Sequence, residues 1–266
     1  MNERAIRSSL AAPVIEAVTL LRVYAEIGST NQQLLDANAP APGELVVCLA
    51  ERQTAGRGRR GRAWYARPGG SLCLSVGWSF AQKPDDLAAL TLASGVVIRR
   101  ALERTTGLDV ELKWPNDLVL RERKLGGILV ELRPDGHRSC FVVVGLGLNV
   151  ALEALELVRI SDWPLGAVDL SSAMDVEPPS RNILAARFIE ALWQLLRRYS
   201  DRGFTSYRAE FAAADYLHGR MVSVDGAGRR LIGRAAGVDD SGVLLVECGG
   251  ATERVIAGEV SVRPAS

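Results

Sequence analysis

The sequence of 266 residues predicts an α+β protein, with a mixed-sheet domain over residues 1–217 and a small β-barrel over residues 218–266. Residues 71–80 alternate apolar and polar side chains with a period of two, which favours a strand. Residues 181–202 carry apolar side chains at helical spacing. After His218 the chain changes to short strands separated by glycine-containing turns, a pattern typical of a small barrel.

Capping residues and turns predict the first elements of the larger part. Ser29 or Thr30 can cap a short helix that begins near Asn31, because a side-chain oxygen can accept the unpaired N–H groups of the first turn. Residues 44–52 form a strand candidate between a Pro-Gly turn and a glycine-arginine run. Residues 85–105 have helical apolar spacing and an acidic first turn, which favours a helix.

A block of short strands is predicted between residues 109 and 150. Its segments are rich in leucine and β-branched residues, and they are separated by Pro115-Asn116 and by turns at residues 121–124 and 134–137. We interpret the block as a meandering mixed sheet. Residues 151–180 show little periodicity and are predicted to form a long loop, which is uncommon unless the loop is functional or disordered.

The composition argues against several classes of protein. The chain has 32 basic and 31 acidic residues and a net charge of +1, whereas a broad nucleic-acid-binding face normally brings a larger basic excess. No signal peptide is visible, and no apolar stretch reaches the roughly 18 residues of a membrane span. We therefore expect a cytoplasmic protein that binds neither nucleic acid nor membrane.

Cysteine and histidine are scattered along the chain. The cysteines form no paired motif, and three of them lie in apolar, strand-like segments, where cysteine usually behaves as a small buried hydrophobe. Neither a disulfide framework nor a protein-ligated zinc site is expected. The residues are Cys48, Cys73, Cys140, Cys248, His137 and His218.

Residues 56–62 read GRGRRGR and carry four arginines. Glycines let the backbone approach a ligand closely and can form an anion-binding nest, and arginine adds a fixed fork of donors for phosphate or carboxylate oxygens. Predicted strands flank the run, so we interpret it as a loop at a sheet edge and not as a disordered tail. From the residues alone, a phosphate-binding loop, a nucleic-acid contact and a solvated turn all remain open.

Residues 113–117 read KWPND. Pro115 breaks a strand, because it lacks a ladder donor and restrains the residue before it, so Asn116 and Asp117 would project from the break. The alternative is a simple turn with an Asx-type hydrogen bond. Lys124 then precedes two glycines and an apolar strand, an arrangement that suits the close approach of a carboxylate or phosphoryl group.

Residues 145–150 read GLGLNV at the end of a predicted strand. The spaced glycines do not form a dinucleotide-binding fingerprint, because the third glycine and the following helix are missing. Asn149 offers the donor and acceptor pair that can bind an adenine edge.

Together these motifs resemble those of one family, the biotin–protein ligases or biotin–[acetyl-CoA-carboxylase] ligases. The motifs GSTN, QTAGRGRRGRAW, KWPND, KLGGILVE and GLGLNV match in order and spacing, and the resemblance runs from about residue 25 to the C-terminus. It implies a mixed-sheet catalytic domain related to class II aminoacyl-tRNA synthetases and lipoate ligases, followed by an SH3-like β-barrel.

The resemblance also implies a reaction in two steps. The carboxylate of biotin attacks the α-phosphate of ATP, with Mg²⁺, to give biotinyl-5′-adenylate and pyrophosphate. A lysine of a biotin carboxyl carrier domain of an acyl-CoA carboxylase then attacks the mixed anhydride and releases AMP. Relatives of this type include monomers and homodimers, so either state is expected.

Site residues follow from the resemblance, position by position. The implied catalytic residues are Arg57, Lys124 and Asp117. The implied biotin-binding residues are Ser29, Thr30, Asn31, Gln53, Gly56, Arg57, Gly58, Arg59, Lys124, Gly127 and Gly145. The implied nucleotide-binding residues are Arg59, Arg60, Arg62, Trp64, Asn116, Gly147 and Asn149. We expect the arginine run to be mobile without ligand, because four neighbouring cations repel one another.

Two departures from the family pattern matter. GSTN begins at residue 28, which leaves no room before it for the winged-helix domain of some relatives, so no repressor role is expected. The family often has an Ala-Thr-Ser-Leu-like stretch after GLGLNV, and the nearest match here is residues 167–170. No role is therefore assigned within residues 151–180, including any stacking by Trp163.

Three other functions would each explain part of the sequence. A lipoate or octanoate transferase would share the fold, but such enzymes usually lack KWPND followed by KLGGIL. An RNA-binding module could stack bases on Trp64 and Tyr65 beside the arginines, but the balanced charge argues against it. An SH3-like adaptor would explain only the C-terminal part.

Overall fold

The structure is a computed structural model that describes residues 1–135, 139–153, 166–226, 229–257 and 261–265. Residues 154–165 of the predicted loop at residues 151–180, including Trp163, lie outside the described residues.

A seven-stranded mixed sheet forms the larger part, in the order β1-β2-β3-β7-β6-β5-β4. Strands β1 and β2 are parallel and all other neighbours are antiparallel, so the predicted mixed sheet is confirmed. The strands are β1 (Val18–Ile27), β2 (Leu45–Gln53), β3 (Ser71–Phe80), β4 (Glu111–Lys113), β5 (Asp117–Leu120), β6 (Arg123–Asp135) and β7 (Ser139–Asn149).

Helices cover both faces of this sheet. On one face α4 and α6 pack on the strands and on each other, over the main hydrophobic core. On the other face α3 packs on β2, β3 and β7 over a smaller apolar cluster. The helices are α1 (Glu3–Ser8), α2 (Ala12–Ala17), α3 (Thr30–Asp36), α4 (Leu90–Thr106), α5 (Leu170–Ala173), α6 (Arg181–Arg202) and α7 (Thr205–Ala213).

Several predicted elements need correction at their ends. Ser29 caps α3, and the helix begins at Thr30. The acidic residues expected in the first turn of α4 lie before it, because a 3₁₀ turn at Leu87–Ala89 precedes the helix. Asp86 instead accepts a hydrogen bond from the backbone N–H of Phe204. The sequence did not predict α1, α2, α7 or the strand character of β1.

A five-stranded antiparallel sheet forms the C-terminal part, in the order β11-β10-β9-β8-β12. Its small antiparallel architecture is consistent with an SH3-like domain, but β11 and β12 do not pair within the described residues. The predicted small SH3-like β-domain is thus confirmed, with a sheet that is open between these two edge strands. The strands are β8 (Met221–Gly226), β9 (Arg229–Val238), β10 (Leu244–Cys248), β11 (Ala251–Val255) and β12 (Ser261–Pro264).

The contacts that fasten the C-terminal sheet to the larger part include a hydrogen bond and an ion pair. The buried indole of Trp114 donates a 3.0 Å hydrogen bond to the carbonyl oxygen of Gly242. Arg208 of α7 forms a 2.7 Å ion pair with Asp240. Among the described residues, no helix has both the length and the apolar character needed to cross a membrane.

Candidate active site

A cavity of about 490 Å³ opens on the face of the large sheet that carries α3. This volume lies in the range of small-molecule sites. Side chains from α3, β2, the arginine loop and β4–β7 line it, and β12 of the C-terminal sheet adds residues 262–264. All the predicted site residues line this cavity except Gly56 and Asn149.

Glycines make the floor of the cavity. Gly127 of β6 pairs with Gly147 of β7, and Gly145 lies two residues earlier on the same face. A Cβ at Gly145 would overlap the side chain of Asn31, and one at Gly147 would overlap the ring of Trp64. At Gly145 and Gly147 the backbone of β7 therefore forms the surface of the cavity. Two glycines separated by one residue lie on the same face of the strand, which explains the spacing in GLGLNV.

A polar network occupies one end of the cavity. The Oε1 atom of Gln53 accepts hydrogen bonds from the backbone N–H and the hydroxyl of Thr30, at 2.8 and 3.0 Å. Buried Ser75 lies 2.7 Å from the hydroxyl of Thr30 and 2.6 Å from Oδ1 of Asn31. Because each side chain is held by another, the network presents polar atoms in fixed directions.

Glu131 links this network to the arginine loop. Its Oε2 accepts from Nδ2 of Asn31 at 2.8 Å, and its Oε1 accepts from Nη2 of Arg57 at 2.9 Å. Arg57 also donates to Oε1 of Gln32 at 2.7 Å. The guanidinium of Arg57 is therefore already anchored to β6 and α3 at the edge of the cavity.

The glycine-arginine run forms a short hairpin. Arg57 and Ala63 form an antiparallel bridge, and the N–H of Gly58 donates to the carbonyl of Arg62 at 2.7 Å. Arg60 at the tip has a φ of 59°, in the left-handed region. Gly56 lies beneath this hairpin, and a Cβ there would come 2.7 Å from the carbonyl oxygen of Trp64. The structure thus gives Gly56 a place in the hairpin and not on the cavity wall.

An ion pair lies beside the glycine floor. Nζ of Lys124 is 2.6 Å from Oδ1 of Asp117, and Nζ of Lys113 is 3.7 Å from Oδ2. Burial alone would raise the pKa of Asp117, but the two lysines outweigh it and hold that pKa below its usual range. Burial lowers the pKa of Lys113, although Asp117 opposes the shift. Asp117 is therefore ionised at neutral pH and holds two lysines at the site.

Trp64 lies over Gly147, with Nζ of Lys124 6.0 Å from the centre of its ring. The buried indole Nε1 has no oxygen or nitrogen partner within the described residues. The ring thus lies between the arginine hairpin and Lys124, where it can cover a ligand bound on the floor.

The two asparagines differ in their surroundings. Asn116 lines the cavity, and its Nδ2 donates to the carbonyl of Ile128 at 2.9 Å. Asn149 is fully buried outside the cavity, and its Nδ2 donates to the carbonyls of Lys124 and Val168. The Nδ2 group is thus engaged by backbone, whereas the buried Oδ1 atom has no hydrogen-bond partner among the described residues. The adenine contact of Asn149 stays a prediction.

The lining carries a strong excess of positive charge. Among the described residues of the cavity, seven are basic and Asp117 alone is acidic. A wall of this composition attracts an anionic ligand and stabilises negative charge formed on it. The basic residues are Arg57, Arg59, Arg60, Arg62, Lys113, Lys124 and Arg263.

Comparison with known proteins agrees with this geometry. A model described as the biotin/lipoate A/B protein ligase family matches residues 23–149, and one described as the biotin protein ligase C terminal domain matches residues 217–263. The biotin--[acetyl-CoA-carboxylase] ligase of Mycobacterium tuberculosis is 34% identical over 269 residues, which cover 98% of this chain and 95% of that protein. This chain belongs to the biotin protein ligase family.

Other biotin protein ligases are similar over most of their length. The bifunctional ligase/repressor BirA of Escherichia coli is 36% identical over 242 residues, which cover 90% of this chain and 73% of that protein. A structure of the biotin protein ligase from Aquifex aeolicus in complex with biotin and ATP superposes with a TM-score of 0.76 at 26% identity. The superposition covers 94% of this chain and 100% of that one.

Several residues that line the cavity or hold its lining were missed from the sequence of this biotin protein ligase. Lys113 stands in KWPND four residues before Asp117, and that spacing could have marked it. Glu131 closes the KLGGILVE motif, but nothing in the sequence pairs it with Arg57. Residues 262–264 come from the C-terminal sheet, and no local pattern shows that they reach the cavity.

Proposed function

We propose that this chain activates biotin with Mg-ATP to biotinyl-5′-adenylate and then transfers biotin to a lysine of a biotin carboxyl carrier domain of an acyl-CoA carboxylase. The observation that carries the proposal is the cavity itself. A glycine floor, a fixed polar end and a strongly basic wall meet there, with Lys124 held by Asp117. The site roles below and the domain division at residue 217 belong to the same proposal.

The first step brings two anions together. The carboxylate oxygen of biotin forms a bond to the α-phosphorus while the bond from that phosphorus to the pyrophosphate oxygen breaks. Fixed cations lower the barrier, because negative charge on the transferring group grows where donors already point. Lys124 and the arginine hairpin border the floor on which the reacting groups would lie.

Biotin would lie at the polar end of the cavity. Thr30, Asn31 and Gln53 hold their polar atoms in fixed directions there, as expected for binding a rigid heterocycle with both donors and acceptors. Leu129 and Leu146 add apolar lining. The carboxylate of biotin would then extend along the floor toward Arg57 and Lys124.

The nucleotide would occupy the remaining half of the cavity. Arg59, Arg60 and Arg62 of the hairpin suit its phosphates, since the guanidinium fork matches phosphate oxygens. Trp64 offers an apolar face above Gly147, and Asn116 lines the same region. Asn149 supports this half indirectly by holding the backbone of Lys124.

The residues present fit a magnesium ion that arrives with ATP. Mg²⁺ is usually bound by one or two carboxylates together with substrate phosphates. Within the described residues there is no group of three histidine, cysteine or acidic side chains that could hold a metal. Asp117 is the carboxylate available at the cavity, and the ion would neutralise charge on the phosphates.

In the second step the amine of the carrier lysine attacks the carbonyl carbon of the adenylate, and the bond to the AMP oxygen breaks. Asp117 is a weak base, because its pKa lies below the usual range. Its part is to orient Lys124, which can hold the carbonyl and phosphate oxygens during both bond changes. The carrier amine must therefore arrive unprotonated.

The test is pyrophosphate release by the purified chain with ATP and, separately, biotin, lipoate or octanoate. We expect release with biotin and, once a carrier domain is added, biotin on its lysine. A heat-denatured sample and a reaction without carboxylate are the controls. Release with octanoate or lipoate and none with biotin would contradict the proposal.

A further inference from the structure

The two-residue turn between β5 and β6 has an unusual backbone. Arg121 and Glu122 both have positive φ, 50° and 66°. Tight hairpins need this geometry, but Asn-Gly normally supplies it because larger side chains are strained there. Lys124 lies two residues after the turn, so what holds the turn also bears on the site.

Each turn residue holds a different part of the chain. Nη2 of Arg121 donates to the carbonyl of Ala173 in α5 at 3.1 Å. Glu122 accepts the hydroxyl of Tyr216 at 2.6 Å and both terminal nitrogens of Arg220, at 2.8 and 3.1 Å. The guanidinium of Arg220 also lies 4.2 Å from the ring centre of Tyr216. The hydrogen bonds to Glu122 lower its pKa.

Arg220 is connected through β8 to β12, the strand of the C-terminal sheet that lines the cavity. Arg220 immediately precedes β8, and β8 pairs with β12, whose residues 262–264 line the cavity. The backbone of Arg220 also bonds to Ala235 of β9. Glu122 therefore stands at the junction between the strand that carries Lys124 and the sheet that carries Arg263.

The backbone of Lys124 is held separately by residues 166–168. Its N–H donates to the carbonyl of Gly166 at 3.2 Å, and its carbonyl accepts from Val168 at 3.0 Å. Leu112 of β4 pairs with Asp215. Leu112 is the residue before Lys113, and Asp215 is the residue before Tyr216. Lys124 thus lies two residues after Glu122, and Lys113 lies one residue after the contact between Leu112 and Asp215.

We propose that Glu122 is a positioning residue for the adenylation reaction: with Tyr216 and Arg220 it fixes the C-terminal sheet to the β5–β6 turn, so that Lys124 and β12 face the same ligand at the correct separation. Glu122 does not touch the substrates and acts through Lys124 and β12. The inference rests on the proposed function.

The contact is partly exposed, since the side chains of Arg220 and Glu122 are 38% and 46% accessible. Exposed ion pairs add little to the free energy of unfolding. Removing this one should therefore change the reaction rate much more than it changes thermal stability. A merely structural contact would not separate the two readouts in that way.

The experiment measures biotin-dependent exchange of pyrophosphate into ATP, with the thermal midpoint of each variant. Glu122→Gln and Arg220→Gln should each lower kcat about tenfold, the order expected for hydrogen bonds to a charged group, with the KM for biotin unchanged. The double variant should be no slower than either single one, because both remove the same contact. Tyr216→Phe should give a smaller loss.

Arg208→Gln is the matched control, because its ion pair with Asp240 also joins the two parts of the chain but does not involve the turn. It should leave kcat unchanged. The inference is overturned if Glu122→Gln matches the active wild type, if Arg208→Gln loses as much, or if the double variant loses the product of the two single effects. If the wild type itself shows no biotin-dependent exchange, the proposed function falls and the inference falls with it.

Discussion

Lys124 and Asp117 form a 2.6 Å ion pair on neighbouring strands, directly beside the glycine floor. The pair places a cation where carboxylate and phosphate would meet and gives it a partner that stays ionised. Lys124→Ala should lower the adenylation rate about 10²–10³-fold, the order seen when one preorganised donor of a reaction site is removed. The measurement is single-turnover adenylate formation.

Lys83→Ala is the control for this substitution, since Lys83 is exposed and away from the cavity lining. A Lys124→Ala variant that forms adenylate as fast as Lys83→Ala would show that the cation at residue 124 is not used.

Arg57 should not tolerate lysine. Nη2 of its guanidinium contacts Gln32 and Glu131 at once, and a lysine has no second nitrogen to present to a carboxylate or phosphate at the same time. We expect Arg57→Lys to hold biotinyl-adenylate much less well than the wild type. The measurement is the release rate of preformed biotinyl-adenylate, which should increase. Arg52→Lys, on an exposed ion pair at the end of β2, should behave as wild type. Equal release from all three proteins would contradict the proposed role of the hairpin.

Gly145 should be required for biotin binding. A methyl group at this position would overlap Asn31 and push it out of the network with Ser75 and Glu131. Gly145→Ala should raise the dissociation constant for biotin by about tenfold or more, as expected when a buried polar group loses its partners. Titration calorimetry measures this directly. Gly28→Ala is the control, because nothing lies within 4 Å of a Cβ there; similar affinities for the two variants would argue against the placement of biotin.

Asp215 should make the protein less stable as the pH rises through the weakly acidic range. Burial raises its pKa to about 6 in the folded state, against an ordinary value of about 3.9. Between these values the folded state binds more protons than the unfolded state, so the free energy of unfolding falls with increasing pH.

At pH 7 this cost is about 3 kcal/mol, since the two pKa values differ by about two units and each unit corresponds to about 1.4 kcal/mol. Asp215→Asn keeps an acceptor for the N–H of Leu217 and removes the charge. The variant should therefore be more stable than wild type at pH 7 and similar at pH 4, as measured by urea unfolding. A pH-independent difference between the two proteins would contradict the assignment to this carboxyl group.

The arginine hairpin should become protected when ligand binds. Four arginines lie within seven residues, and their mutual repulsion falls once an anion is present. Amide hydrogen exchange across residues 56–66 should slow on addition of biotin and ATP. Exchange in α4 serves as the internal control, and equal rates with and without ligands would show that the hairpin does not respond.

The sequence predicted those helices and strands whose apolar residues recur at a regular spacing. The alternation in β3 and the apolar stripe of α6 give their bounds closely, because each pattern is regular over the whole element. The alternation did not show that β3 is buried on both faces. The strand β1 was missed, since its exposed and buried residues follow no simple alternation at the sheet edge. The small C-terminal β-domain was predicted from its short strands and glycine-containing turns, but the order of its strands was not, because pairing between distant strands leaves no local pattern.

The same distinction holds at the site. Gly145, Gly147 and Lys124 stand in motifs and line the cavity, as predicted. Asn149 also stands in a motif but is buried and does not line the cavity, since a motif does not show how deeply a side chain at a strand end is buried. Glu131 and Arg57 are 74 residues apart in the chain, and only the fold shows that they meet.

The glycine floor also bears on how the site can change. Main-chain atoms of β6 and β7 form it, and those atoms are engaged in the ladder of the central sheet. A compound that gains its affinity by lying against this floor contacts atoms that every amino acid has. A side chain added at Gly145 or Gly147 would cover this surface but would also displace Asn31 or Trp64. Escape from such an inhibitor that leaves the site intact would therefore have to arise at the rim, in the arginine hairpin or in residues 262–264.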